Sequence, residues 1–398
     1  MKADVVVVGA GPVGSIASKT LAEKGVSVIC VDRKQEIGPP KRCAEGLTKE
    51  TLDILGIKPH PAWAVNLIEG FIVHTPKGNN IELKLPDYPG YVLERKIFEK
   101  YLAADAINAG AKYMVKTQAE SVIKKDGRVA GVIVNHMGDE KKIQAKIVVA
   151  ADGADSKIAR TAGLNTTNKM TDYHSGFQYE LAGVKCVEDR LHFFFGDSVA
   201  PKGYAWIFPK GSTLANVGLG IMGNLSKDGG RARDYLDAFI ENNPEFFKNA
   251  SPVEINAGGI PVSGGLTELT SDGIMVVGDA AHHVHPITGG GMTFGMLGAR
   301  MAAEVAAKAI KNKDYSKSAL SEFDERWNEK YGPKLDKLYK ARLVFEKLSE
   351  EDLEKLAEIF SGEDILKIAN GDLKSIYPLL LTKAPKMLFL VKKLLAQG

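Results

Sequence analysis

The 398-residue chain holds only three cysteines, Cys30, Cys43 and Cys186, far apart and odd in number. It has no CxxC and no His/Cys cluster, which argues against a disulfide framework and a structural zinc site. A reducing cytoplasm fits this usage. No run of 18 apolar residues occurs, so no transmembrane helix is expected. The start, MKADVVVVGAGPVG, lacks the charged region and cleavage site of a signal peptide. No charge of one sign dominates: 52 basic and 49 acidic residues leave a net charge of +3. That balance gives no support to nucleic-acid binding. What is present, 44% apolar and 25% charged residues, is the composition of a folded globular protein, and the length suits two to three domains or one large α/β domain with insertions.

Residues 3–8 read as a buried parallel strand and 26–31 as a second, with a helix between them. The connecting turn carries Gly9-x-Gly11-x-x-Gly14. The first glycine permits the turn, the second admits a pyrophosphate, and the third lets helix and strand pack closely. Asp32, 18 residues after Gly14, ends the second strand, where a carboxylate binds a ribose hydroxyl. Together these features predict a dinucleotide site. Two later strands end in Asp152-Gly153 and Gly278-Asp279. Gly289-Gly290-Gly291 then opens a long helix expected over about 291–311, and its N-terminus favours negative charge on a bound group.

Elsewhere the pattern predicts a short helix over 48–55 and a hairpin over 67–75 and 81–85. A helix is expected over 95–108, with strands at 112–117, 120–124, 129–135 and 142–149. An aromatic-rich antiparallel sheet follows over 172–222, then a helix over 229–242. Helical sequence runs from 316 to the end.

The order and spacing of GxGxxG, DG and GD resemble the flavoproteins of the para-hydroxybenzoate hydroxylase fold. The absence of a second GxGxxG, and of a partner for Cys43, argues against two-dinucleotide disulfide reductases. Within that fold, Arg42-Cys43-Ala44-Glu45-Gly46-Leu47 and Tyr204-Ala205-Trp206-Ile207-Phe208-Pro209, with Gly218-Leu219-Gly220, resemble the geranylgeranyl reductase family. The likeness to its archaeal branch, which acts on geranylgeranyl-chain phospholipids, runs along nearly the whole chain.

The resemblance implies an α/β protein with a discontinuous Rossmann-like FAD-binding domain (1–66, 92–171 and 256–315). An antiparallel-sheet substrate domain (67–91 and 172–255) is inserted in it, and a C-terminal helical region (316–398) follows. It also implies saturation of isoprenoid double bonds by hydride from reduced FAD. An aromatic-ring monooxygenase of the same fold, or a non-catalytic flavin- or lipid-binding protein, is the alternative. With no NAD(P)H domain, the external electron donor is ferredoxin, a reduced deazaflavin or NAD(P)H.

The resemblance further assigns residues. Arg42, Cys43, Ala44, Gly46, Arg95 and Met292 are expected at the flavin, and Ala119 at the adenine through its backbone. Tyr204, Trp206 and Phe208 alternate, so they share one strand face. With Pro209, Gly218 and Gly220 they are expected to line the lipid-chain cavity. Cys43, among Arg42 and Glu45, is the candidate catalytic residue, because thiols beside a guanidinium lose a proton readily. Cys30 reads as core and Cys186 as a strand residue. His282, His283 and His285 lack metal-ligand partners and read as flavin-proximal packing, so no metal is expected. The last 26 residues carry five lysines and no acid. Leu388, Leu390, Val391, Leu394 and Leu395 form a helical apolar stripe there, which a membrane surface or the protein body would cover.

Overall fold

The structure is a computed structural model that describes residues 1–85, 89–383 and 385. The apolar stripe expected at Leu388–Leu395 lies outside the described residues.

The β-branched runs build the centre. Six strands line up in the order Thr270–Ser271, Ile274–Val276, Ile147–Ala150, Val5–Val8, Val28–Val31, Lys112–Met114. All neighbours are parallel except the first pair. Val5, Val6 and Val7 are fully buried, as a strand covered on both faces requires. The helices Pro12–Glu23, Arg95–Asn108 and Met292–Asn312 pack against this core. Close approach of the first and third depends on Gly295, where a β-carbon would lie 2.7 Å from Val13.

A second sheet of seven strands runs Ser251–Pro261, Tyr173–Ala182, Leu214–Met222, Tyr204–Pro209, Leu191–Phe195, Gly70–His74, Asn80–Lys84. Only Leu191–Phe195 and Gly70–His74 pair in parallel. The helix Ala232–Asn242 covers its back, closing a separate core around Val217, Leu219 and Leu236. Its other face turns toward the glycine-rich turns of the first sheet.

Several of the expected elements need correction. The strand expected at 142–149 is two strands. Asp139–Gln144 joins an antiparallel three-stranded sheet, and Ile147–Ala150 enters the parallel one. The chain changes sheets where Lys146 N–H donates to the Asp4 carbonyl and its ammonium pairs with the Asp4 carboxylate at 2.8 Å. Likewise the strand expected at 112–117 stops at Met114, because Lys116 is left-handed with φ 48°. The expected domain boundaries at 66/67 and 91/92 fall inside the strands Ala64–Ile68 and Gly90–Leu93, which pair with each other. The helix expected at 229–242 begins at Ala232.

The C-terminal helices divide. Phe323 and Trp327 join the main core. Leu348, Leu356, Phe360 and Ile376 form a small core of their own. Glu354 ties that module to the hairpin turn, accepting from Thr75 Oγ1 at 2.9 Å, Lys77 N at 2.5 Å and Asn79 Nδ2 at 2.8 Å. Among the described residues no helix is long and apolar enough to cross a membrane.

Candidate active site

One cavity of about 660 Å³ runs from the Gly-rich turns to the aromatic face of the seven-stranded sheet. At its nucleotide end each glycine of the first motif has a distinct task. Gly9 has φ 101°, and a β-carbon there would lie 2.3 Å from the Ala151 carbonyl oxygen. A β-carbon on Gly14 would meet the Gly9 carbonyl at 1.8 Å. Gly11 lines the cavity and a β-carbon there would meet nothing within 4 Å, so this backbone lies open to a ligand. The helices Pro12–Glu23 and Met292–Asn312 both begin at the cavity wall, and neither has a side-chain cap. Two helix N-termini thus converge where a pyrophosphate and an electron-rich ring would be stabilised.

The strand-end carboxylates behave differently from one another. Asp32 is buried and accepts Ala10 N–H at 2.8 Å and Lys34 N–H at 2.8 Å, so it braces the turn behind the cavity wall. Asp152 accepts Ile158 N–H at 2.8 Å on Oδ2, while its Oδ1 is buried without a partner. Burial holds the Asp152 carboxyl above the usual range. Gly153 and Asp279 line the cavity. Burial also raises the Asp279 pKa, against the pull of Arg95 and His282. The open Gly11 backbone, the paired helix ends and the buried Asp279 carboxylate on the cavity wall fit a dinucleotide such as FAD.

The Cys43 loop stands where the two ends of the cavity meet. Arg42, Cys43, Ala44, Gly46 and Arg95 all line it. Cys43 Sγ accepts the Glu45 N–H at 3.1 Å. Glu45 is left-handed, with φ 75°, and fully buried. Its carboxylate receives Lys41 Nζ at 2.8 Å, Lys210 Nζ at 3.1 Å, Asn216 Nδ2 at 2.7 Å and Arg95 N at 2.7 Å. Lys41, 1% exposed, also pairs with Glu180, and Lys210 reaches Glu94 at 2.6 Å and Glu180 at 3.1 Å. Burial of Glu180 opposes its charge, but the two lysines hold its carboxyl below the ordinary value. The cationic neighbour of Cys43 is Arg95, not Arg42 as its position in the sequence suggests. Burial disfavours the Arg95 charge, yet Glu99 and Cys43 raise its pKa overall. Arg95 Nε donates to Glu99 at 2.6 Å. Arg42 instead packs its stem against Gly258.

The far end is apolar. Tyr204, Trp206 and Phe208 line it with Phe71, Phe177 and Phe193. Phe193 meets Tyr204 and Phe208 edge-on, with centroids 5.7 and 5.6 Å apart. Gly218 and Gly220 pair with Trp206 and Tyr204 on the adjacent strand. Gly218 admits the indole, since a β-carbon would come within 2.6 Å of Trp206 Cζ2.

Several predicted residues do not line the cavity: Gly9, Gly14, Asp32, Ala119, Asp152, Pro209, Gly218 and Gly220. Ala119 pairs with Val134 in the three-stranded sheet. The Pro209 carbonyl accepts Asn66 Nδ2 at 2.9 Å. Gly290, Gly291 and Met292 do line it. Of the histidines, only His285 reaches the cavity wall. His282 bonds Ser263 Oγ at 2.8 Å and His283 stacks on Trp327 at 3.7 Å. Among the described residues no group of histidine, cysteine and carboxylate side chains is placed to hold a metal. The residues that sequence reading missed are Lys41, Gln178, Glu180, Lys210 and Asn216, the polar bed beneath the Cys43 loop.

Comparison with known proteins agrees with this layout. Residues 172–260 match the geranylgeranyl reductase catalytic domain, and residues 2–196 match an FAD binding domain. A digeranylgeranylglycerophospholipid reductase of Methanocaldococcus jannaschii is 44% identical over 395 residues, covering 98% of both chains. The chain belongs to the geranylgeranyl reductase family. A digeranylgeranylglycerophospholipid reductase 2 of Methanopyrus kandleri is 41% identical, covering 99% of this chain and 100% of its own. A solved geranylgeranyl bacteriochlorophyll reductase-like structure from Thermoplasma acidophilum has TM-score 0.91 and 35% identity, covering 99% of both chains. As a geranylgeranyl reductase family member, this chain is an FAD-dependent oxidoreductase. The Gly9–Gly14 turn, Gly153 and the Cys43 loop lie within the 2–196 match, and Tyr204, Trp206 and Phe208 within 172–260.

Proposed function

We infer that this enzyme saturates the double bonds of geranylgeranyl chains on archaeal ether phospholipids. The observation that carries the reading is the single cavity, which joins a dinucleotide cradle to a phenylalanine- and tryptophan-lined wall with Cys43 at the junction. A wall of this kind takes an extended hydrocarbon and excludes water.

Saturation of one C=C requires a hydride on one carbon and a proton on its neighbour. When bound, FAD in its two-electron-reduced form supplies the hydride. Gly11, Gly153, Asp279 and the two helix N-termini hold the cofactor, with Asp32 and Asp152 bracing them. The aromatic residues hold the chain so that one alkene faces the cofactor. Cys43 carries the proton at Sγ. Its sulfur accepts from Glu45 N–H, which leaves the thiol hydrogen free to point into the cavity. An isolated alkene has no carbonyl to stabilise negative charge, so the proton must arrive in step with the hydride. Electrons come from an external ferredoxin, reduced deazaflavin or NAD(P)H. The lipid is taken up at the cytoplasmic face of the membrane, to which the protein binds peripherally.

The test is anaerobic. The purified holoenzyme is reduced with dithionite and mixed with a geranylgeranyl-chain phospholipid, and flavin reoxidation and lipid mass are followed together. A mass gain of one hydrogen molecule per bond, matched by flavin reoxidation, is expected. Competent reduced flavin with no mass gain overturns the reading and directs the test to aromatic substrates with oxygen.

A further inference from the structure

Gln178 is a buried amide with every polar atom engaged, and its bonds run in two directions. Its Oε1 accepts the indole N–H of Trp206 at 3.0 Å. Its Nε2 donates to the Cys43 carbonyl at 3.0 Å and to Asn216 Oδ1 at 3.2 Å. The orientation is fixed chemically, because an indole N–H only donates and a carbonyl only accepts. Asn216 repeats the grip one residue along, donating from Nδ2 to the Ala44 carbonyl at 3.1 Å. Trp206 is 6% exposed and pressed onto this amide over Gly218, where a β-carbon would lie 2.6 Å from the indole and 2.8 Å from Gln178 Cβ. The loop on the other side is held in a left-handed turn at Glu45.

We propose that Gln178 is a positioning residue that couples the aromatic wall to the Cys43 loop, so that chain placement and the position of the Cys43 thiol are set together. The proposal rests on the reductase reading for its effect on turnover, but the coupling itself is a property of the folded protein. Moving Trp206 along the wall to accept a different segment of the chain pulls on the same amide that fixes the Cys43 backbone. Fully satisfied polar networks of this kind resist partial rearrangement, since each bond lost leaves a buried group unpaired.

The experiment uses FAD-loaded wild type, Gln178→Met, Trp206→Phe and the double variant. The first readout is the alkylation rate of Cys43 by iodoacetamide, followed on its own peptide by mass spectrometry. The second is kcat and KM for the lipid, with the proportion of partly saturated product. Gln178→Met keeps the volume and removes all three bonds, so Cys43 reactivity should change roughly three- to tenfold, as expected when one or two of them act on the Cys43 loop. Trp206→Phe should shift Cys43 reactivity in the same direction, and the double variant should add little. In turnover, kcat should fall more than KM rises, with more partly saturated lipid released.

Unchanged Cys43 reactivity in Gln178→Met with normal FAD content would overturn the proposal. So would independent, multiplying effects of the two substitutions. If Gln178→Met fails to fold, Trp206→Phe alone decides through the same alkylation rate. A wild type that reduces no lipid refutes the reductase reading, while the alkylation result still decides the coupling.

Discussion

A β-carbon added to Gly291 would come within 2.7 Å of Asp279 Oδ1, so the helix that begins at Met292 is docked directly on the carboxylate of the Gly278-Asp279 turn. The contact brings a helix N-terminus and a buried acid to one stretch of cavity wall. Gly291→Ala must push either the helix start or Asp279 out of place. The expected outcome is FAD binding weakened about tenfold or more, with the thermal midpoint of the apoprotein nearly unchanged. Flavin titration by fluorescence quenching measures the first and calorimetry the second. Tight FAD binding by Gly291→Ala would show that this docking does not shape the cradle.

Beneath the Cys43 loop, Lys41 has no exposure to offset the loss of its partners. Lys41→Met leaves Glu45 and Glu180 with Lys210 as their remaining cation. Removing one member of a buried ionic group costs about 3–5 kcal/mol, because a buried charge is left uncompensated. Lys41→Met should therefore lower stability by about that amount in urea titration. Adding Glu180→Gln should recover part of it. Equal stability of Lys41→Met and wild type would mean that water reaches the cluster.

These cases show how far the sequence carries. Gly9, Gly14, Gly153 and Gly278 were legible because each answers a backbone demand, a positive φ or a close approach, that no other residue meets as well. Tyr204, Trp206 and Phe208 were legible because strand alternation puts them on one face. The polar bed was not read, since Gln178, Glu180 and Asn216 are single polar residues on two strands and Lys210 sits in the turn after a third. A signal was present: Gly176, Gln178 and Glu180 share one parity, as do Asn216, Gly218 and Gly220. The pairing of Gly218 with both Trp206 and Gln178 puts these rows on the cavity face. Only pairing registers, which no single chain pattern states, bring the rows together. The identity of the cation beside Cys43 was hidden for the same reason. Arg42 is adjacent in sequence, whereas Arg95 arrives on a helix.

Acid should destabilise the fold through its histidines. His74 and His192 lie 3.0 Å apart, ring nitrogen to ring nitrogen, among Phe194 and Phe246. Burial depresses both, each to about 4 from an ordinary value of 6.5, with His192 also repelling a proton on His74. His174 and His285 are likewise depressed by burial to about 4. Such groups stay neutral in the fold and take up protons when it opens. Their contribution is present above about pH 6.5 and is lost as pH falls toward 4. The thermal midpoint should drop across that window. The double variant His74→Phe with His192→Phe should show a shallower drop, and an identical slope in the two proteins would exclude the pair as a source of acid sensitivity.

Gly218 offers a test of how the aromatic wall measures its substrate. A β-carbon on Gly218 would lie 2.6 Å from Trp206 Cζ2, 2.8 Å from Gln178 Cβ and 2.8 Å from the Phe177 carbonyl oxygen, so Gly218→Ala must shift the indole and push the neighbouring strand aside. Overpacking of this kind costs about 1–3 kcal/mol, so the protein should still fold. The shift narrows the apolar end, whereas the glycine turns that would hold FAD belong to the other sheet, which predicts a far smaller change in FAD affinity than in lipid turnover. A geranylgeranyl chain should lose kcat/KM by about tenfold, the order expected when a pocket loses one or two methylene widths. A farnesyl chain, shorter by one isoprene unit, should lose less, because it need not fill the narrowed end. Kinetics on the two chain lengths give the comparison directly. An equal loss for both chains would mean that Trp206 contacts the reacting alkene itself rather than the distant part of the chain.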